Sequence, residues 1–403
     1  MPSFQYVARN AQGAMVTGSI DAADQNQAAR NLRDKGLIPS QIHLGTSSAA
    51  KKRKKARGGR IKLDDMVIFS RQLATMIRAG LPLIEILNIL TEQLEKRKFQ
   101  IVAGQVERDV EAGASFTEAL QRHPSVFNVF FVSMVRAGEA AGMLDTILDQ
   151  VAGYMEKAAS LQRKVKSAVT YPAFVTAFAI IVVTGLMIFV IPAFKDIFAG
   201  LGSELPFLTR MVIGTSDFIY KFWYVILIAV VGSVVAIRLW YRTNTGQHAI
   251  DAFLLKVPVF GPLFLKSGVA RFTRTLGVLI RAGVNILSAL DIVARTAGNV
   301  LIEDAIFRTK SSIQSGESIA KPLEDSGVFP PMVTRMISVG ERTGNLESML
   351  QKIADFYEDQ VDAAVAALTS LIEPILIIFL GVVIGTIVIA MFLPMFKMIE
   401  EIQ

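Results

Sequence analysis

The stretch "MIRAGLPLIEIL", Met76–Leu87, returns as "LIRAGVNILSAL", Leu279–Leu290. An echo at that distance is too long for a solenoid unit and suits a duplicated domain. Aligning Gly80 with Gly283, an offset of 203 residues, also pairs Phe69 with Phe272, Leu73 with Leu276, Arg78 with Arg281 and Leu87 with Leu290. Gly113, Ser115 and Leu120 meet Gly316, Ser318 and Leu323 in the same register. After one deleted residue the offset becomes 202, and "AGEAAGML" (Ala137–Leu144) meets "VGERTGNL" (Val339–Leu346). Gly138, Glu139 and Gly142 then fall on Gly340, Glu341 and Gly344, and Pro172 falls on Pro374. "IPAFK" (Ile191–Lys195) finally meets "LPMFK" (Leu393–Lys397).

The echo therefore carries an apolar run with it. No charge lies between Lys166 and Lys195, a length that crosses a bilayer with tilt. A second run lies between Lys221 and Arg238, where both cations can snorkel and Trp223, Tyr224, Trp240 and Tyr241 sit as interfacial aromatics. The third is bounded by Glu373 and Lys397. Three spans are read at 167–195, 218–240 and 371–396. The second has no counterpart; it is the return stroke that puts the second copy on the same side as the first. Arg163, Lys164 and Lys166 precede span one, and Arg238 and Arg242 follow span two, while 195–221 is charge-balanced. The positive-inside rule puts the N-terminus and the large middle segment in the cytoplasm and the tail 397–403 outside.

Composition agrees with this division. Of 403 residues 52% are hydrophobic and 19% charged, too apolar for a soluble protein and too polar for spans alone. Cysteine is absent, which excludes disulfides, thiol nucleophiles and thiolate metal sites. The N-terminal "MPSFQYVARNAQG" lacks the apolar core of a signal peptide.

Outside the spans the apolar period is helical. Phe69, Leu73 and Ile77 recur every fourth residue, and Leu144, Ile147, Leu148 and Val151 trace one helix face, as do Leu346, Met349, Leu350 and Ile353. Bundles are expected at 63–166 and 241–370, with a loop at 196–217. Gly138 and Gly142 suit a tight corner, through close approach or left-handed dihedrals. Glu139 and Glu341 have two readings: a helix-start carboxylate favoured by the macrodipole, or a partner contact or cation ligand. At 1–45, "FQYVA", a turn at "RNAQG", "AMVTGSI" and a helix ending at Gly36 make a small α+β module without a second copy. The linker at 46–62 carries "KKRKKARGGR", open to three readings: a solvated linker, attraction to anionic lipid or an acidic protein face, or nucleic-acid binding, though no aromatic stacking platform accompanies it. The fold class is an all-α membrane protein: two duplicated helical bundles, three transmembrane helices and the N-terminal module.

Catalytic signatures are missing. There is no G-x-x-x-x-G-K-[ST] loop and no G-x-S-x-G elbow, and His43, His123 and His248 have no metal-ligand spacing. Ionisable residues are absent from span interiors, against an ion-coupled transporter. No cofactor or metal is expected.

The "FSRQLATMIRAGLPL" helix, the "AGEAAGML" and "VGERTGNL" corners, the "TYPAF" entry to span one and "IPAF…GLGSELPFLTRMV" after it resemble the PilC/GspF family over essentially the whole chain. These are inner-membrane platform proteins of type IV pilus and type II secretion machines, and the outer-loop phrase is closer to the pilus platforms. The resemblance implies a multi-pass protein of the bacterial inner membrane, with a periplasmic tail, that catalyses nothing itself. It implies docking of the cytoplasmic domains on a hexameric assembly or retraction ATPase, engagement of pilin or pseudopilin subunits and other inner-membrane assembly proteins, and a homo-oligomer. Gly80, Gly138, Glu139, Gly142 and Pro172, with Gly283, Gly340, Glu341, Gly344 and Pro374, are the structural or partner candidates. Competing readings are a duplicated transporter, disfavoured because three spans with one pair duplicated cannot form paired inverted halves unless the chain oligomerises, and a membrane-tethered nucleic-acid binder.

Overall fold

The computed structural model describes residues 3–9, 15–22, 24–34, 36–44, 61–199, 205–258 and 260–402. The chain divides into two compact units, one of residues 1–61 with 92–101, the other of 62–91 with 102–403. Within the first, β1 (Ser3–Arg9) and β2 (Met15–Asp21) form an antiparallel hairpin with Tyr6 opposite Gly18. Helix α1 (Gln25–Asp34) buries Ala28 and Leu32 and ends at Gly36, whose φ of 72° is left-handed. The chain then returns as β3 (Ile38–Leu44) on the free edge of β1, giving the order β2-β1-β3. Sequence reading did not anticipate β3; its Pro39 is tolerated because the strand lies at the sheet edge, beside a register shift at Val7/Ala8. The hairpin turn and the basic run of the linker lie outside the described residues.

Along the chain follow α2 (Leu63–Arg78), α3 (Leu83–Gln93), α4 (Arg97–Glu111), α5 (Phe116–Gln121), α6 (Val129–Ala141) and α7 (Leu144–Gly185). A π-helical turn, Leu186–Val190, joins α7 to α8 (Ile191–Ala199). Next come α9 (Phe207–Trp240) and α10 (Asn244–Lys256). The pattern of α2–α7 is then repeated by α11 (Phe260–Arg281), α12 (Ile286–Thr296), α13 (Val300–Gln314), α14 (Ala320–Asp325), α15 (Pro331–Thr343) and α16 (Leu346–Ile402).

Helix α2 packs on α7, and α11 on α16. Phe69 and Leu73 bury completely with Leu148, Val151 and Met155, as Phe272 and Leu276 do with Leu350 and Ile353. Each such side chain contributes about 1.5–3 kcal/mol of apolar burial. Phe127 stacks between Phe69 and Phe131 at ring distances of 5.9 and 5.4 Å, and Phe329 meets Phe272 at 5.0 Å.

Among the described residues three helical segments are long and apolar enough to cross a membrane: Leu144–Ile197, Phe207–Trp240 and Leu346–Phe396. The pair α10–α11, bent by 109°, passes the same composition test. Leu263, Phe272, Leu276 and Leu279 of α11 are nevertheless fully buried in the second bundle, so this pair is core. The expected boundaries at 166/167 and 370/371 fall inside α7 and α16. An α-helix satisfies its own backbone groups in water and lipid alike, so only side-chain composition changes at the boundary. Pro172, Pro374 and Pro394 lie inside these helices without ending them. Much of the loop expected at 196–217 is likewise helical, at its start in α8 and at its end in α9.

Candidate functional site

The opening echo is a helix stop written twice. At the end of α2 the chain turns left-handed at Gly80 (φ 84°), and the Leu81 N–H donates to the Met76 carbonyl at 3.2 Å. At the end of α11 Gly283 (φ 77°) does the same, with Val284 N–H to Leu279 O at 3.0 Å. Both are glycine caps that satisfy otherwise orphaned carbonyls.

The second phrase builds the α6–α7 corner. Gly142 (φ 66°) reverses the chain, and Met143 N–H donates back to Gly138 O at 2.9 Å. Gly344 (φ 68°) and Asn345 N–H to Gly340 O at 2.9 Å repeat it between α15 and α16. Gly138 and Gly340 serve differently. A Cβ at Gly138 would stand 3.1 Å from Ile147 Cβ, and one at Gly340 3.0 Å from Leu346 Cα. The missing side chain lets the two helices of each corner touch.

Glu139 lies near the C-terminal end of its own helix, not at its start. Its carboxylate reaches across to the first turn of α5, accepting from Phe116 N (2.7 Å), Thr117 N (2.9 Å) and the Thr117 hydroxyl. Glu341 accepts from Ile319 N at 3.0 and 3.1 Å, at the start of α14. Each carboxylate thus sits at the start of a neighbouring helix, not of its own. A reciprocal capping box between Ser115 and Glu118 completes the α5 start.

Between the copies runs a seam that sequence reading missed. Arg71 of α2 forks onto Glu156 at 2.6 and 2.7 Å and onto Asp149 at 2.8 Å. Its counterpart Arg274 of α11 binds Glu358 at 2.8 Å and Asp355 at 2.5 Å. The Arg71 hydrogen bonds hold the Glu156 carboxyl below its usual range. Helices α7 and α16 then meet directly. Lys157 reaches Glu358 at 3.2 Å and Lys164 reaches Asp362 at 2.6 Å. Beside them Tyr154 is part-buried, its phenol 3.0 Å from the Thr275 hydroxyl, and desolvation pushes that phenol up. Thr275 donates to Arg271 O at 2.6 Å, so Tyr154 is the donor between the two hydroxyls. The seam is not symmetric: at the repeat offset Lys157 falls on Asp359 and Lys164 on Ala366. Copy one supplies cations and copy two acids, which favours one-to-two pairing over one-to-one. The available signal was that Arg71 and Glu156 echo as Arg274 and Glu358.

At the far end of the spans, α9 ties the two repeats together. Thr209 Oγ1 donates to Ala390 O of α16 at 2.6 Å, and Ser216 Oγ donates to Met187 O in the π-turn. Both hydroxyls are buried beside Met187, Ile191, Val212, Ile387 and Ala390. A π-turn leaves a carbonyl unpaired within its helix, and Ser216 satisfies it. Lys195 pairs with Asp217 at 2.7 Å just beyond. Among the described residues no group of three or more acidic or histidine side chains gathers as a metal site, and His248 sits 3.7 Å from Asp304.

The family model for type II secretion system protein F matches residues 69–192 and again 272–394, and the model for that protein's N-terminal domain matches 1–43. The chain is 47% identical to a type IV pilus assembly protein PilC of Thermus thermophilus, over 100% of both chains. It is 42% identical to the protein of that name from Myxococcus xanthus, over 99% of this chain and 96% of the relative. A type II secretion system protein F of Pseudomonas aeruginosa is 31% identical over 99% of each. The doubled match reproduces the two copies seen in the fold, and with full-length identity at this level the chain belongs to the type II secretion system protein F family, the PilC/GspF group its sequence resembles.

Proposed function

We propose that this protein is a non-enzymatic inner-membrane platform of a type IV pilus machine. It couples a hexameric cytoplasmic assembly or retraction ATPase to the insertion and removal of pilin subunits at the fibre base. The N-terminus and both bundles face the cytoplasm, a reading the basic flanks of spans one and two support, and the tail is periplasmic. The observation that carries this reading is mechanical. Each bundle's main helix continues into a span without a joint, and α16 alone has 57 residues, on the order of 85 Å of unbroken helix. A displacement of a bundle is thus passed into the membrane by a continuous helix, with α7 and α16 pinned together by the seam. Corner and partner roles for the repeated glycines, glutamates and prolines belong to the same proposal: they hold the bundle faces that an ATPase ring would grip. No cofactor takes part.

The stronger identity to relatives named for type IV pilus assembly favours the pilus over a type II secretion platform. Solubilising the protein in mild detergent from its own cells and identifying co-purifying chains by mass spectrometry tests this. Pilins with assembly and retraction ATPases are the expected result. Pseudopilins with a single ATPase would transfer the role to secretion. ATP hydrolysis by the purified protein alone would sink the non-enzymatic reading.

A further inference from the structure

A cavity of about 250 Å³ lies where the second bundle meets the membrane. Its wall includes Val165 of α7, Tyr241 at the end of α9, Asp251 of α10, Arg271 of α11 and the Gly298–Asn299 turn before α13. Val165 is the residue before Lys166, the last cation ahead of span one, and Tyr241 follows span two, so the cavity sits at headgroup depth on the bundle side.

The polar groups in this wall are unequal. Asp251, only 2% exposed, has both oxygens engaged: Tyr241 Oη donates to one at 3.1 Å and Val300 N–H to the other at 2.8 Å. It fastens the end of span two to the start of α13. Arg271 has no such partner. Its guanidinium lies against Gly298, so close that a Cβ there would stand 2.5 Å from Nη1. No carboxylate pairs with it among the described residues, whereas its neighbour Arg274 takes two. A half-buried guanidinium without a counter-ion is costly unless something anionic completes it. Lys166, Arg238 and Arg242, one residue to one turn from the lining residues Val165 and Tyr241, are also without ion pairs among the described residues. Their neighbours Arg163 and Lys164 are paired with Asp64 and Asp362.

We propose that this cavity is a binding site for the phosphodiester headgroup of an anionic glycerophospholipid, the phosphate taken by Arg271. A planar guanidinium suits a phosphate fork, and basic pockets at helix ends on the membrane face recognise such headgroups. The volume fits a headgroup and not a whole lipid, which leaves the acyl chains in the bilayer along α9. Phosphatidylglycerol carries the net negative charge that Arg271 lacks a partner for, whereas phosphatidylcholine is zwitterionic and its choline cation would compete for the phosphate. The site wedges span two against the second bundle and is independent of the pilus reading.

The test is native mass spectrometry of the full-length protein in detergent, titrated separately with dioleoyl-phosphatidylglycerol, dioleoyl-phosphatidylcholine and inorganic phosphate. Retention of phosphatidylglycerol at least tenfold tighter than phosphatidylcholine is expected. Arg271→Gln should lose about tenfold or more of that affinity, the scale of one charge-assisted contact. Leu254→Trp, which fills the cavity and leaves the charge, should lose it too, while Arg308→Gln on a distant groove should not. A headgroup-photoreactive phosphatidylglycerol should label peptides containing residues 264–271 or 297–299 of the unmodified protein, a readout independent of any variant's folding. Equal retention of the two lipids, inorganic phosphate competing at comparable concentration, or labelling confined to other segments would each overturn the proposal.

Discussion

Removing the Glu139 side chain should open the start of α5, and should do so more than removing Glu341 opens the start of α14. Glu139→Ala strips three donors of their acceptor: two amides at 2.7 and 2.9 Å and the Thr117 hydroxyl. Glu341→Ala strips one amide, Ile319 N, shared between both oxygens. A charge-assisted bond is worth roughly 1.5–3 kcal/mol, but these carboxylates are half-buried and water replaces part of each loss. Losses of whole helix caps run from about 0.5 to 2 kcal/mol. The structure therefore predicts about 2 kcal/mol for Glu139→Ala and about 1 kcal/mol for Glu341→Ala. Since about 1.4 kcal/mol is tenfold, local opening should rise roughly 30-fold in the first case and 5-fold in the second. Amide hydrogen exchange of the full-length protein in detergent, followed on peptides covering 114–122 and 317–326, reads both. The Ser115–Glu118 capping box stays in place, so acceleration should stay confined to the first turn. Equal acceleration in the two copies, or none in either, would refute the cross-helix capping assignment. So would acceleration spread along α7 with the first turn of α5 unchanged.

Gly138→Ala should destabilise the first bundle by about 1–3 kcal/mol through overpacking against Ile147 and Leu144, and Gly138→Asn should be worse. Gly142→Ala meets no neighbour within 4 Å and should cost about 1 kcal/mol for its left-handed backbone alone, much of it regained by Gly142→Asn; thermal melts separate the two mechanisms. Glu156 has a folded-state pKa held below its ordinary 4.5 by Arg71, so its contribution is present above that value and is lost as pH falls through the lowered one. Arg71→Gln should therefore flatten the dependence of melting temperature on pH below about 4.5, with an unaltered slope counting against the pair. Ser216→Ala leaves the Met187 carbonyl without its partner in an apolar setting and should cost about 1–3 kcal/mol, measured as a lower detergent-phase melting temperature.

Much of the fold was legible because duplication and hydrophobic run length are one-dimensional signals. The 203- and 202-residue offsets survive in the structure as α2–α7 on α11–α16, and the glycines of the echo carry the left-handed caps their spacing implied. Elements whose reason lies off the strand or helix period were not legible. Strand β3 carries a proline that its edge position accommodates, and the first third of α9 lies in a stretch with polar and charged residues mixed in.

Sequence alone determined the number of spans, the two copies, the helix-ending glycines and the absence of catalytic motifs, because each depends on residue type and spacing along the chain. Tertiary structure decided which neighbour each charge serves. Glu139 lies on α6 and caps α5, Arg71 finds Glu156 eighty-five residues away, and Lys157 finds Glu358 in the other copy. Arg271, three residues and about one helical turn from the well-paired Arg274, is left facing a cavity. A carboxylate or guanidinium reaches only a few ångströms, so its role is set by whichever helix the packing brings within that radius.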